Sequence, residues 1–309
     1  MAETRERKSR LLGAGDIDVS FEFFPPKNER MEKALWSAIE RLGPLSPEFV
    51  SVTDGAGGST RERTHATVAR IITETALRPA AHLTCVDATR EEVDEVARGY
   101  WAAGVRHIVA LRGDPASGVG QSYQPHPGGY ANAAELVAGL KKIANFEISV
   151  GGYPEKHPES PSAQADIDNL KAKVDAGADR IITQFSFDNA HYLSFLERAR
   201  AAGIWVPITP GIVPIHNFRQ VAGFATRTGA SVPAWLARRF EGLEEDNATQ
   251  HLVAAAVATE QVMELVEEGV KKFHFYTLNR ADLVYAICHL LGLRPLTTAP
   301  LEQRHQAIA

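Results

Sequence analysis

The sequence predicts a (β/α)8 barrel of the TIM type, with extra helices inserted before the last strand, and three observations predict it. Eight short β-rich runs alternate with longer stretches of helical periodicity, the pattern of parallel strands joined by helical crossovers. Several helical stretches end at a glycine just before the next strand, at Gly104, Gly177, Gly203 and Gly269, where a helix C-terminus favours left-handed backbone. No strand is followed by the GxGxxG turn that usually marks the alternative, a doubly wound open sheet.

The first strand, 18–24, lies in VSFEFFPPK and is stopped by Pro25 and Pro26. Helix 29–41 follows, with Met31, Leu35, Ile39 and Leu42 at helical spacing. Strands 48–53 and 80–85 come next, and Asp87-Ala-Thr-Arg opens helix 90–102. Strand 106–111 runs into Arg112-Gly113-Asp114, and strand 146–151 precedes a helix over 162–176 opened by Ser160-Pro-Ser. Strands 180–186 and 205–209 follow, then extra helix over about 231–267, strand 271–276 and helix 281–292. The chain divides into an N-terminal tail (1–17), one barrel domain (18–295) and a C-terminal tail (296–309).

Composition bounds the function. With 309 residues, 44% of them hydrophobic, the chain has enough apolar content for a substantial core. A net charge of -5 gives no electrostatic reason for nucleic acid or an anionic membrane as partner. No stretch has the length of a transmembrane helix, and the start lacks the apolar segment of a signal peptide. Cys85 and Cys288 stand singly in apolar surroundings, without the close spacing of a metal site. Both read as reduced and inert, which fits a cytoplasmic protein.

In barrel enzymes the chemistry sits at the C-terminal ends of the strands. Those ends carry Glu22, Thr53 and Asp54, His82, Arg112 to Asp114, Tyr153, Gln184, Pro210, and Tyr276 to Arg280. Strand alternation puts Val19, Phe21 and Phe23 on the helix side and Ser20, Glu22 and Phe24 on the barrel side. Glu22 among aromatic groups would lose hydration of its charged form, raising its pKa and making it a general acid; the other reading is a structural glutamate paired with a cation. For His82 the bland alternative is a core histidine, for Asp166 and Asn169 the polar face of a helix, and for Phe224 a core position.

The segments VSFEFFPPK, FVSVTDGAGGSTRERTH, HLTC, GVRHIVALRGDP, YPEKHPES, SAQADIDNLKAKVDAGADRIITQF, PGIVPIHNF and VKKFHFYTLNRADLVYAICHLLG resemble, in order, those of the bacterial methylenetetrahydrofolate reductase family. The resemblance spans about residues 18–295. It implies an enzyme of one-carbon metabolism, on the route to methionine. Such an enzyme would bind FAD noncovalently and take hydride from NADH or NADPH in a ping-pong reaction. It would convert 5,10-methylenetetrahydrofolate to 5-methyltetrahydrofolate.

By the same resemblance, Glu22 and Asp114 are catalytic: Glu22 protonates the bridging folate nitrogen, and Asp114 accepts hydrogen bonds from the pterin and tunes the flavin. The residues implied to line FAD are Thr53, Asp54, Ala56, His82, Arg112, Gly113, Asp114, Tyr130, Ala131, Tyr153, His157, Ser160, Asp166, Asn169 and Lys173. Glu22, Asp114, Gln184, Gln220, Phe224, Tyr276 and Arg280 are implied to contact folate or nicotinamide. The resemblance further implies a homo-oligomer and, with the chain ending at Ala309, no added regulatory domain.

Two positions depart from the family pattern. Asp54 replaces an aromatic residue and would set an acid near the flavin edge; Ser186 replaces a phenylalanine and would enlarge or polarise the folate side. The loop 115–129 is also long, either covering FAD or a tolerated surface insertion. Alternative functions are a related flavin barrel oxidising methyltetrahydrofolate or another amine, and a non-catalytic folate- or flavin-binding protein.

Overall fold

The computed structural model describes residues 12, 15–55, 60–114 and 123–296. Its centre is a closed barrel of eight parallel strands in sequence order. The strands are β1 (Asp18–Phe23), β2 (Val50–Val52), β3 (Pro79–Thr84), β4 (His107–Leu111), β5 (Glu147–Gly152), β6 (Arg180–Phe185), β7 (Ile208–Ile212) and β8 (Lys272–Tyr276). β1 closes the ring by pairing with β8, Glu22 beside Tyr276 and Ser20 beside His274.

The helices are α1 (Glu29–Leu42), α2 (Arg61–Glu74), α3 (Arg90–Ala102), α4 (Ala133–Ile143), α5 (Ala163–Asp175), α6 (Asn189–Ala201), α7 (Phe218–Thr228), α8 (Ala234–Phe240), α9 (Asn247–Glu267) and α10 (Ala281–Leu290). One helix follows each strand, and α8 and α9 are the extra pair before β8. Side-chain caps start most of them: Thr89 and Glu92 form a capping box on α3, and Ser162 accepts from the Ala165 amide on α5. The main core lies between barrel and helices and holds Val19, Phe21 and Phe23. These are the positions that alternation assigns to the helix side.

The seventh strand begins three residues later than the expected 205–209. Arg200 ties up the carbonyls of Ile204 and Val206, which holds that segment as a loop and leaves Trp205 exposed. β7 then runs through Pro210, and the β6–β7 register shifts between Ile182 and Phe185. A proline has no amide to donate, so an irregular ladder is where a strand tolerates it.

Candidate active site

Glu22 projects into the barrel mouth, buried between two imidazoles. Its Oε2 lies 3.3 Å from His82 Nε2 on β3 and 3.7 Å from His274 Nε2 on β8. The strand end is held from the turn after β8: Thr277 Oγ1 donates to the Glu22 carbonyl at 2.6 Å. Asn279 brackets Phe24, accepting from its amide and donating to its carbonyl, both at 2.9 Å. Leu278 and Asn279 both take positive φ there. A β8 turn in that uncommon conformation therefore fixes where β1 presents its carboxyl.

Burial raises the carboxyl pKa of Glu22, and the His274 and His82 imidazoles more than offset this, bringing it to about 2. The expected raised pKa is thereby corrected. Phe21 and Phe23 pack on the opposite face of the strand, so the two imidazoles rather than those phenylalanines flank the acid.

Two connected lobes open beside it. One, of about 240 Å³, is bounded by Glu22, His82, Gln184 and the aromatic groups Phe24, Phe185, Phe224 and Tyr276. The other, of about 400 Å³, runs outwards past Arg112, Asp114, His157, Asp166 and Lys173. Leu111, Gly151, Gly152 and Tyr153 border both. Gly211 shapes the first wall: a Cβ there would lie 2.3 Å from the Thr183 carbonyl oxygen and 2.5 Å from the Tyr276 ring. Its absence lets Tyr276 cross β7 and donate to that same oxygen at 2.7 Å.

The family profile described as methylenetetrahydrofolate reductase matches residues 7–292. The 5,10-methylenetetrahydrofolate reductase of Salmonella typhimurium is 54% identical over 298 residues, covering 95% of this chain and 98% of the relative. The chain belongs to the methylenetetrahydrofolate reductase family. The Escherichia coli K12 protein of the same name is also 54% identical, over 91% of this chain and 93% of the relative. A solved oxaloacetate acetylhydrolase, in complex with 3,3-difluorooxalacetate, shares only the fold. It is 12% identical at a TM-score of 0.50, over 88% of this chain and 77% of that one.

In this reductase-family chain most of the expected site residues converge. Arg112, Gly113, Asp114, Tyr153, His157, Ser160, Asp166, Asn169 and Lys173 line the outer lobe. Glu22, His82, Tyr153, Gln184, Phe224 and Tyr276 line the inner one. Lys173 donates to the Gly151 carbonyl at 3.0 Å, and burial lowers its pKa to about 8. Arg112 donates to Glu159 at 2.6 Å and lies over the Tyr123 ring. Gln220 and Arg280 are exposed beside the mouth, on the first turn of α7 and just before α10.

Thr53, Asp54, Tyr130 and Ala131 border neither lobe. The Asp54 side chain points into its own turn, accepting from Thr60 and Thr84 hydroxyls at 3.1 Å. It is only 1% exposed, so it sets no acid against the cleft. The Thr53 carbonyl accepts from Thr64 in the same turn. Tyr130 packs on Gly139 and donates to Asp94, on the helix side, and Ala131 donates to Glu135. Ser186 Oγ donates to the Asp188 carbonyl at the start of α6, leaving the cleft wall unpolarised. Ala56 and residues 115–122 of the long loop lie outside the described residues.

The missed lining residues include Phe24, Asn132, Ala133, Glu159 and Phe185, with the barrel's own Val109, Leu111 and Ile182. Phe185 follows Gln184 directly, and its stacking on Phe224, with ring centres 5.5 Å apart, was not readable from spacing.

Both cysteines are free and buried, and burial pushes the Cys85 thiol up to about 11. Among the described residues no helix is long and apolar enough to cross a membrane.

The buried histidines make stability pH-dependent. Burial lowers the pKa of His274, that of His107 well below its ordinary 6.5, and that of His216 to about 4. Below pH 6.5 the unfolded chain binds these protons before the folded one does, so stability falls with pH at up to ~1.4 kcal/mol per unit per group. Glu22 adds loss of the same sign as pH falls from 4.5 towards 2. Urea midpoints between pH 7 and 5 should drop, and His216→Gln should shrink the drop; an unaltered slope would clear His216 of a part in it.

Proposed function

We propose that this chain reduces 5,10-methylenetetrahydrofolate to 5-methyltetrahydrofolate. It does so with noncovalently bound FAD and with NADH or NADPH as hydride donor, the two substrates using one site in turn. The observation that carries this reading is the two-lobed cleft, with a buried carboxyl flanked by imidazoles at its aromatic end and cations along its polar end. Membership of the family supports it.

The residues present fit FAD. The outer lobe offers Arg112, Lys173 and the start of α5 to phosphate groups, and Tyr153 and His157, edge to face at 4.6 Å, to flat rings. The inner lobe offers aromatic walls to planar rings. Bound flavin would supply hydride transfer between the nicotinamide and the folate.

Glu22, a carboxylate in the ligand-free site with its pKa at about 2, takes up a proton from solvent as folate displaces its surroundings and passes it to the bridging folate nitrogen, whose bond to the methylene carbon breaks with the electron pair left on nitrogen. Phe24, Phe185 and Phe224 exclude water and bracket the pterin or nicotinamide, with Gln184 placed to hydrogen-bond either. Asp114 accepts from pterin N–H groups. Asp114→Asn should raise the Kd for folate about tenfold, the effect of losing a charged hydrogen bond worth ~1.5 kcal/mol, and should shift the flavin potential. Titration and potentiometry check this; no change in either removes Asp114 from the site.

Anaerobic spectroscopy tests the whole reading. The purified protein should show flavin absorption that bleaches with NADH or NADPH and returns with methylenetetrahydrofolate. A protein unable to take up FAD would overturn it.

A further inference from the structure

The guanidinium that the outer lobe offers to phosphate is already engaged. Arg112 Nη1 donates to Glu159 Oε2 at 2.6 Å, and the two side chains are 24% and 26% exposed. The pair joins the end of β4 to the turn between β5 and α5, and both residues line the lobe. A carboxylate on an arginine fork presents the same chemistry as a phosphate oxygen. Glu159 and an anionic cofactor therefore compete for one donor.

The charges of the lobe sharpen that competition. Asp114, Glu159 and Asp166 stand there against Arg112 and Lys173. Burial lowers the pKa of His157 below its ordinary value, so this ring adds no positive charge at neutral pH. Acids outnumber cations along the wall before any diphosphate arrives, and a like charge brought against Glu159 is repelled.

Geometry decides which partner yields. Arg112 is held from other sides: its Nε donates to the Gly113 carbonyl at 3.2 Å, and its guanidinium carbon lies 4.4 Å from the centre of the Tyr123 ring. The backbone beneath is fixed too, because Gly113 takes positive φ and a Cβ there would lie 2.6 Å from Val86 and 2.8 Å from Thr84. Glu159 is placed by its main chain. Its amide donates to His157 Nδ1 at 3.1 Å, and the His157 amide donates to Asp166 at 2.8 Å. Neither bond uses the Glu159 carboxylate, so that group can rotate into solvent while the turn stays in place.

We propose that Glu159 gates the cofactor site: it occupies Arg112 in the free protein, is displaced by the diphosphate of FAD, and returns to Arg112 as FAD leaves. The inference rests on the reductase reading above. Glu159 in this role sets the affinity and exchange of the cofactor and takes no part in hydride or proton transfer. The hydrogen bond from Arg112 holds the Glu159 carboxyl below its ordinary pKa, so the gate is charged at neutral pH.

Flavin fluorescence with the full-length apoprotein measures FAD affinity and release. Glu159→Gln should lower the Kd for FAD about fivefold, the upper end for a partly exposed ion pair, and slow release by a similar factor. In an Arg112→Ala background the same change should move the Kd by less than about twofold, because the donor competed for is gone. Urea midpoints separate a gate from a merely structural pair. Glu159→Gln should leave the apoprotein midpoint equal or lower, and should raise the midpoint at a fixed FAD concentration.

Unchanged or weaker FAD binding by Glu159→Gln would overturn the proposal. So would a gain that survives in Arg112→Ala, since long-range charge alone would then account for it. If Arg112→Ala takes up too little FAD to measure, Arg112→Lys decides by the same comparison, because it keeps the charge without the fork. If the wild-type protein takes up no FAD, the reductase reading fails instead. Inorganic pyrophosphate, expected to bind Glu159→Gln apoprotein more tightly than wild type, then still decides the gate.

Discussion

Glu22→Gln keeps nucleotide-dependent flavin reduction and slows flavin reoxidation by methylenetetrahydrofolate by about 10²–10⁴-fold, the usual contribution of a positioned general acid. The amide preserves the shape of the side chain but, unlike the carboxylate, cannot take up a proton and pass it on. Backbone placement survives, since Thr277 and Asn279 hold the end of β1 through main-chain atoms of Glu22 and Phe24. Only the folate half of the reaction opens a carbon–nitrogen bond, so only that half needs the acid. Stopped-flow absorbance of the flavin separates the two halves. Equal losses in both would withdraw the role given to Glu22.

Gly211→Ala destabilises the fold by about 1–3 kcal/mol, the typical cost of overpacking, and reshapes the mouth. The added methyl would meet the Thr183 carbonyl oxygen at 2.3 Å and the Tyr276 ring at 2.5 Å. One is backbone of the neighbouring strand, and the other is pinned by its hydroxyl to that same oxygen. Relief requires Tyr276 to swing off β7, into the lobe lined by Glu22 and Phe185. A lowered urea midpoint together with weakened folate binding is the expected pair of results. A midpoint equal to that of the parent protein would mean that β7 shifts freely, contrary to its packed position.

Most of the barrel was legible because each strand carries its own punctuation. The predicted helix-ending glycines Gly104, Gly177, Gly203 and Gly269 all take positive φ, and the capping residues act within a few positions of where they stand. β7 was misplaced because its start is set by Arg200, reaching across from α6 to carbonyls that local propensity ignores.

The sequence by itself determined the closed ring, the extra helices before the last strand and the set of strand ends that meet at one mouth. These follow from periodicity and turn chemistry, which are local. Only the tertiary structure decided the electrostatic state of Glu22, because its partners His82 and His274 come from β3 and β8 and meet it through closure of the ring. The inward turn of Asp54 and the outward turn of Tyr130 were decided the same way. A side chain's surroundings depend on which distant strands lie beside it, and a pKa responds to those surroundings rather than to neighbours in sequence.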